Sequence, residues 1–187
     1  MILLGMGANI PSKIGTPIET LLHVCRIMPD YNITIIKRSN FFLTSPLEKF
    51  GGKQLPERVK EPWFINCVLK VRTRLPHTQL FSKLKLIEKN IGRNHSQSRF
   101  NRPCDLDLLS FGDKVGETKV SPGDQISKNY HLLKLPHPRL HERAFVLKPL
   151  LEVAPNWRHP EKNISVCEML KNVLEKQIVI PVGKGVS

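Results

Sequence analysis

Asp105-Leu106-Asp107-Leu108-Leu109 alternates acid and leucine, and no other stretch constrains the chain so tightly. In a strand, side chains at i and i+2 share a face. Asp105 and Asp107 then project together, roughly 7 Å apart, while Leu106 and Leu108 turn the other way into a core. Carboxylates held side by side repel unless positive charge sits between them. A hard, oxygen-seeking Mg²⁺ meets that need, with substrate phosphates completing its shell. Taken alone, so short a motif reads more readily as two solvated acids on an edge strand. Its surroundings decide.

The flanking pattern supplies a fold. Residues 2–6 read as a first strand, and Ile18, Leu21, Leu22, Cys25 and Met28 recur at helical spacing over residues 16–28. A β-rich run follows over residues 33–44. Residues 63–73 alternate, with Ile65, Cys67, Leu69 and Val71 on one face and Phe64, Asn66, Val68, Lys70 and Arg72 on the other, which predicts a half-buried strand. Leu80, Leu84, Ile87 and Ile91 mark a second helix that Gly92 stops. Residues 45–62 and 93–102 read as long polar loops that move over a site, and residues 112–134 as a flexible insertion. Residues 136–149 begin as a Pro-rich turn and become a short helix, and residues 165–175 form another amphipathic helix. The order strand-helix-strand-strand-helix-strand predicts an α+β fold: a ferredoxin-like antiparallel sheet with helices packed on it, a three-layer αβα sandwich. The length of 187 residues fits a single domain over 1–187, its core reaching about residue 160 and a helix and tail filling 161–187.

Charge and cysteines narrow the partners and the compartment. The formal net charge of +13 favours a polyanionic partner: nucleic acid, nucleotide or anionic surface. Cys25, Cys67, Cys104 and Cys167 lie scattered in apolar segments without a C-x-x-C spacing, so reduced, mostly buried thiols are expected. No apolar run is long enough to span a membrane, and the first residues lack the make-up of a signal peptide, so a cytoplasmic protein is expected.

Three constellations carry chemistry. Arg93, Arg99 and Arg102 lead directly into Asp105 and Asp107. Phosphoryl transfer needs that mixture, metals to bridge phosphate oxygens and guanidiniums to neutralise developing charge. Downstream, His137 and His141 stand four apart, but H-E-x-x-H is absent and Pro138 follows His137 at once. Phosphate contact by His137, Arg139 or Arg143 fits better than zinc. Phe64 and Asn66, two apart, and separately Phe145, suit stacking on and hydrogen-bonding a flat heterocycle, but read alone the two phenylalanines fit a core better. A nucleic-acid-binding sheet stays open on charge, although no RNP-like run is present. A two-metal nuclease shares the acids but leaves Phe64 and Asn66 unexplained.

Read in order, Leu4-Gly5-Met6-Gly7-Ala8-Asn9, Thr44-Ser45-Pro46-Leu47, Phe64-Ile65-Asn66-Cys67-Val68, Glu88 with Gly92-Arg93, Arg102 with Asp105-Leu106-Asp107-Leu108-Leu109, and the run from Pro136 to Leu147 resemble the 6-hydroxymethyl-7,8-dihydropterin pyrophosphokinases of folate biosynthesis. The resemblance extends to about Pro155. It implies an ATP-dependent transferase that moves pyrophosphate to the pterin hydroxymethyl group and releases AMP. It implies two Mg²⁺ ions on Asp105 and Asp107, with Arg93 and Arg102 steadying the charge that develops during transfer. Phe64 and Phe145 would sandwich the pterin. Asn66, with backbone around Thr44, Ser45 and Leu47, would read its edge. Glu88, Arg99, Leu108, His137 and Arg143 would line the ATP side. Lys85 stands where the family often has a neutral polar residue near the nucleotide. ATP and the pterin are the implied partners of a monomer, with neither nucleic acid nor membrane.

Overall fold

The alternating segments pair into one antiparallel sheet in the computed structural model, which describes residues 1–45, 49–50, 53–54, 62–92, 101–121, 130–173 and 177–182. In chain order the elements are β1 (Ile2–Ala8), α1 (Pro17–Ile27), β2 (Thr34–Arg38), β3 (Phe42–Thr44), β4 (Lys49–Phe50), β5 (Lys53–Gln54), β6 (Phe64–Arg72), α2 (His77–Ile91), β7 (Asp105–Phe111), β8 (Gly116–Val120), β9 (His131–Leu135), α3 (Ala144–Val153), α4 (Val166–Lys171) and β10 (Val179–Pro181). The sheet runs β10-β3-β6-β1-β7, and β2 also pairs with β6. β2 and β3 lie one after the other along β6, opposite residues 69–72 and 64–66. Together they serve as the second strand of the expected order. The fold is α+β, with helices on an antiparallel sheet.

Local chemistry sets the helix ends. Thr16 and Glu19 form a reciprocal capping box at the start of α1, with Pro17 in its first turn. Ser165 and Glu168 do the same for α4. Gly92 ends α2 at φ 113°, a left-handed conformation that suits glycine.

Two cores lie on opposite sides of the sheet. Leu4, Met6 and Ala8 of β1, Cys67, Leu69 and Val71 of β6, and Leu106 and Leu108 of β7 pack with Leu21 and Val24 of α1 and Leu80, Leu84 and Ile87 of α2. Leu3, Val68 and Leu109 join Leu147, Leu150, Val166 and Met169 of α3 and α4.

Four expectations need correcting. The strand at residues 63–73 is not half-buried: Asn66, Cys67, Val68 and Leu69 are all buried, because helices cover both faces of the central strand. The insertion at 112–134 holds the antiparallel pair β8–β9, whose Val120, Leu133 and Leu135 join the first core. The loop at 45–62 contains the short pair β4–β5. The cysteines are free as expected, but Cys167 is exposed and Cys25 only partly covered. Burial pushes the Cys25 and Cys67 thiols up, so both stay protonated. One strand went unread in the sequence: β10, which pairs with β3.

Candidate active site

Register builds the site on the face of the sheet that α3 covers. Gly7 lies between Asn66 of β6 and Asp105 of β7, and Gly5 lies between Val68 and Asp107. Both glycines share the Leu3 side of β1, away from Leu4, Met6 and Ala8. The strand between the amide and the acids therefore carries no side chain at either position. A Cβ at Gly7 would meet Asn66 Oδ1 at 2.6 Å. Asn66, 8% exposed, donates from Nδ2 to Thr44 Oγ1 at 2.7 Å. The Ser45 N–H is given to the Ile178 C=O at 3.3 Å.

The acids differ in their partners. Asp105 is ion-paired with Arg102. Asp107 Oδ2 lies 3.9 Å from both His137 Nε2 and Arg143 Nη1. Burial holds His137 below the ordinary histidine value, against the pull of Asp107, so the ring is neutral at pH 7. Arg143 Nε is buried with no hydrogen-bond partner among the described residues, and its Cζ lies 5.6 Å from the Phe145 ring centroid.

Asn9 places Arg102. Its N–H donates to the Arg102 C=O at 3.0 Å, its Oδ1 accepts from the Arg102 N–H at 2.7 Å, and its Nδ2 reaches the Pro62 C=O at 3.4 Å. One buried amide at the end of β1 thus joins the approach to β7 to the approach to β6.

β7 is the edge of the sheet, and side chains of α2 close part of it. Glu88 Oε1 accepts from the Leu106 N–H at 2.6 Å, and Lys85 Nζ donates to the Leu106 C=O at 2.9 Å and to Glu88 Oε1 at 2.7 Å. Burial alone would lower the Lys85 ammonium. The carboxylates of Glu88, Asp107 and Asp105 outweigh burial and hold it above the ordinary lysine value. Further along, the His137 N–H donates to the Leu109 C=O at 2.9 Å. Leu108 lies between these two closures.

Among the residues expected from the sequence, Arg102, Asp105, Asp107, His137 and Arg143 meet in one cluster, and Glu88 is linked to it through Leu106. Thr44, Asn66 and Phe64 share the β3–β6 side, and Phe145 follows Arg143 into α3. Leu47, Arg93 and Arg99, and most of the loops expected to move, lie outside the described residues. Gly7, Asn9 and Lys85 are further members of the site. In the sequence, Gly7 and Asn9 stand out only as members of the Leu4–Asn9 run that resembles the family, without a role of their own. Among the described residues no group of three or more His, Cys, Asp or Glu could hold a metal without help. A pair of carboxylates does fit Mg²⁺, which takes one or two from protein and the rest of its shell from phosphate and water.

Known proteins resemble this chain in sequence and in fold. The profile of the family described as 7,8-dihydro-6-hydroxymethylpterin-pyrophosphokinase (HPPK) matches residues 3–155. A 2-amino-4-hydroxy-6-hydroxymethyldihydropteridine pyrophosphokinase of Aquifex aeolicus is 31% identical over 157 residues, 84% of this chain and 82% of that protein. The folic acid synthesis protein fol1 of Pneumocystis carinii is 31% identical over 170 residues, 91% of this chain but only 20% of that protein. In structure, wild-type Plasmodium falciparum HPPK-DHPS superposes with a TM-score of 0.63 at 14% identity, over 91% of this chain and 40% of that one. At that identity the likeness speaks for the fold.

Proposed function

The chain belongs to the 7,8-dihydro-6-hydroxymethylpterin-pyrophosphokinase family, and from that premise we propose that it transfers pyrophosphate from ATP to 6-hydroxymethyl-7,8-dihydropterin, in folate synthesis, on the site just described. The observation that carries the reading is the side-chain-free strip at Gly5 and Gly7, with an amide on one side and the acid pair on the other. A flat heterocycle needs a bare backbone strip and a hydrogen-bonding edge, and Gly7 beside Asn66 supplies both, while Leu109 packs over Gly5. A triphosphate needs cations and carboxylate-held metal.

Asp105 and Asp107 would hold Mg²⁺, two ions in this reading. When bound, the metal neutralises phosphate charge and orients the chain of phosphates. The pterin hydroxymethyl oxygen attacks the β-phosphorus. The new O–P bond forms as the bond from the β-phosphorus to the α-phosphate oxygen breaks, AMP leaves, and the hydroxyl proton is released. Arg102, with Arg93 and Arg99, steadies the equatorial oxygens. Arg143 approaches from the α3 side. The neutral His137 donates a hydrogen bond without adding charge. Phe64 and Phe145 flank the pterin ring, and Asn66 reads its edge. The backbone edge at Leu108 reads the nucleotide base, with Glu88 and Lys85 closing the neighbouring edge at Leu106. Positioning and charge neutralisation carry the rate, and no protein base is required.

The reading takes residues 1–187 as one catalytic domain, a cytoplasmic monomer with no nucleic-acid partner. No helix among the described residues is long and apolar enough to cross a membrane. The test is ATP consumption with 6-hydroxymethyl-7,8-dihydropterin and Mg²⁺, resolved by nucleotide product. Pterin-dependent AMP is expected; ADP, or no pterin-dependent turnover, refutes the proposal.

A further inference from the structure

The segment after α4 reaches the site from behind. Gln177 grips the backbone on both sides of Arg143: its Nε2 donates to the Glu142 C=O at 2.9 Å, and its Oε1 accepts from the Ala144 N–H at 2.9 Å. Arg143 begins α3 and offers that helix no side-chain cap. The carboxamide of Gln177 satisfies the first orphan amide instead. Few side chains can do both jobs, since a donor and an acceptor must lie in one plane.

The residues that follow hold the opposite wall. The Ile178 C=O accepts from the Ser45 N–H, Val179 pairs opposite Thr44, and Lys148 Nζ of α3 donates to the Val179 C=O at 2.8 Å. One short stretch therefore binds the Thr44–Ser45 backbone and the turn carrying Arg143 and Phe145 at the same time. Arg143 reaches toward Asp107, and its guanidinium lies near the Phe145 ring.

We propose that Gln177 is a positioning residue for Arg143 and Phe145, and that residues 177–181 set how far that turn stands from the Thr44–Asn66 side. The proposal rests on the reading of Phe145 as a pterin wall. Gln177 acts through the turn and touches no reacting group.

Gln177→Ala and Gln177→Glu test it. Gln177→Ala is expected to raise KM for the pterin about tenfold, the scale of one or two lost hydrogen bonds, with kcat little changed. Its melting temperature should stay close to that of the parent, and hydrogen exchange at the Ala144 amide should speed up. Gln177→Glu keeps the acceptor for Ala144 but sets a carboxylate against the Glu142 carbonyl. It should show a smaller KM rise and a protected Ala144 amide, and it carries the test if the alanine variant fails to fold. An unchanged KM, or a fall in kcat and melting temperature at constant KM, overturns the proposal. If the parent chain makes no pterin-dependent AMP, the pyrophosphokinase reading fails, while exchange at Ala144 still decides whether Gln177 ties the turn.

Discussion

A methyl group at Gly7 is the smallest change that probes the heterocycle side of the site. It would land 2.6 Å from Asn66 Oδ1, so the amide must move. Gly7→Ala should lose about 1–3 kcal/mol of stability, the ordinary range for overpacking, and pterin affinity with it. Gly5→Ala meets only the flexible end of Leu109, at 3.4 Å, and should be milder on both measures. Calorimetric pterin binding and thermal melts compare the two. At the acids, Asp105→Ala and Asp107→Ala should each abolish AMP formation while leaving the fold intact by circular dichroism. Away from the site, His159 is buried, and its Nδ1 accepts from the Lys162 N–H at 3.3 Å, a bond only the neutral ring can make. Burial holds His159 below the ordinary histidine value, helped by His141 and Lys162 and opposed by Glu161. A depressed histidine contributes stability above its unfolded value that is lost as pH falls through the folded value. Melting temperature should therefore fall between pH 7 and pH 5, and His159→Asn, which keeps an acceptor without titrating, should flatten that fall. The acids and Asn66 were legible only through their surroundings, the arginines upstream and the runs that resemble the family, because each motif alone fits a plain strand. Gly7 was not, because its role depends on what lies across the strand.

At the level of elements, α2 and β7 are joined by charge as well as by leucines. Glu88 is buried, and its carboxylate serves both the Lys85 ammonium and the Leu106 N–H. Breaking such a pair from one side leaves the other charge stranded. Glu88→Gln should cost about 3 kcal/mol in urea unfolding. Adding Lys85→Met should restore part of that loss, and simple additivity of the two changes would show the pair to be uncoupled. The helical period of Leu80, Leu84, Ile87 and Ile91 made α2 legible, and the period of two made β7 and β6 legible. Burial of β6 on both faces was not, because Lys70 and Arg72 at one end suggested a wet face that α3 in fact covers further along. β8–β9 was hidden by the polar, glycine-containing sequence of residues 112–134, although Leu133 and Leu135 join the first core. β10 was hidden by its length of three residues, which satisfies no periodic pattern.

Across the whole molecule, the net charge of +13 bears on how an anionic nucleotide arrives. KM for ATP should rise severalfold between about 0.05 and 0.5 M KCl while kcat changes little, since screening weakens attraction before it weakens contacts. A salt-independent KM would confine the useful charge to the site itself. The overall architecture was legible because six patterned segments in order leave few ways to arrange a sheet. The meeting of His137 and Arg143 with Asp107 was not, since it depends on a turn that seats His137 on the edge of β7. β1 has a genetic consequence. Its even-numbered side chains face one core, Gly5 packs under Leu109 of the other, and Gly7 alone lies against Asn66. A saturation scan of residues 4–8, scored separately for protein abundance and for growth that requires folate, should set position 7 apart. Changes at positions 4, 6 and 8, and large side chains at 5, should deplete protein, whereas alanine or serine at 7 should lower growth more than abundance.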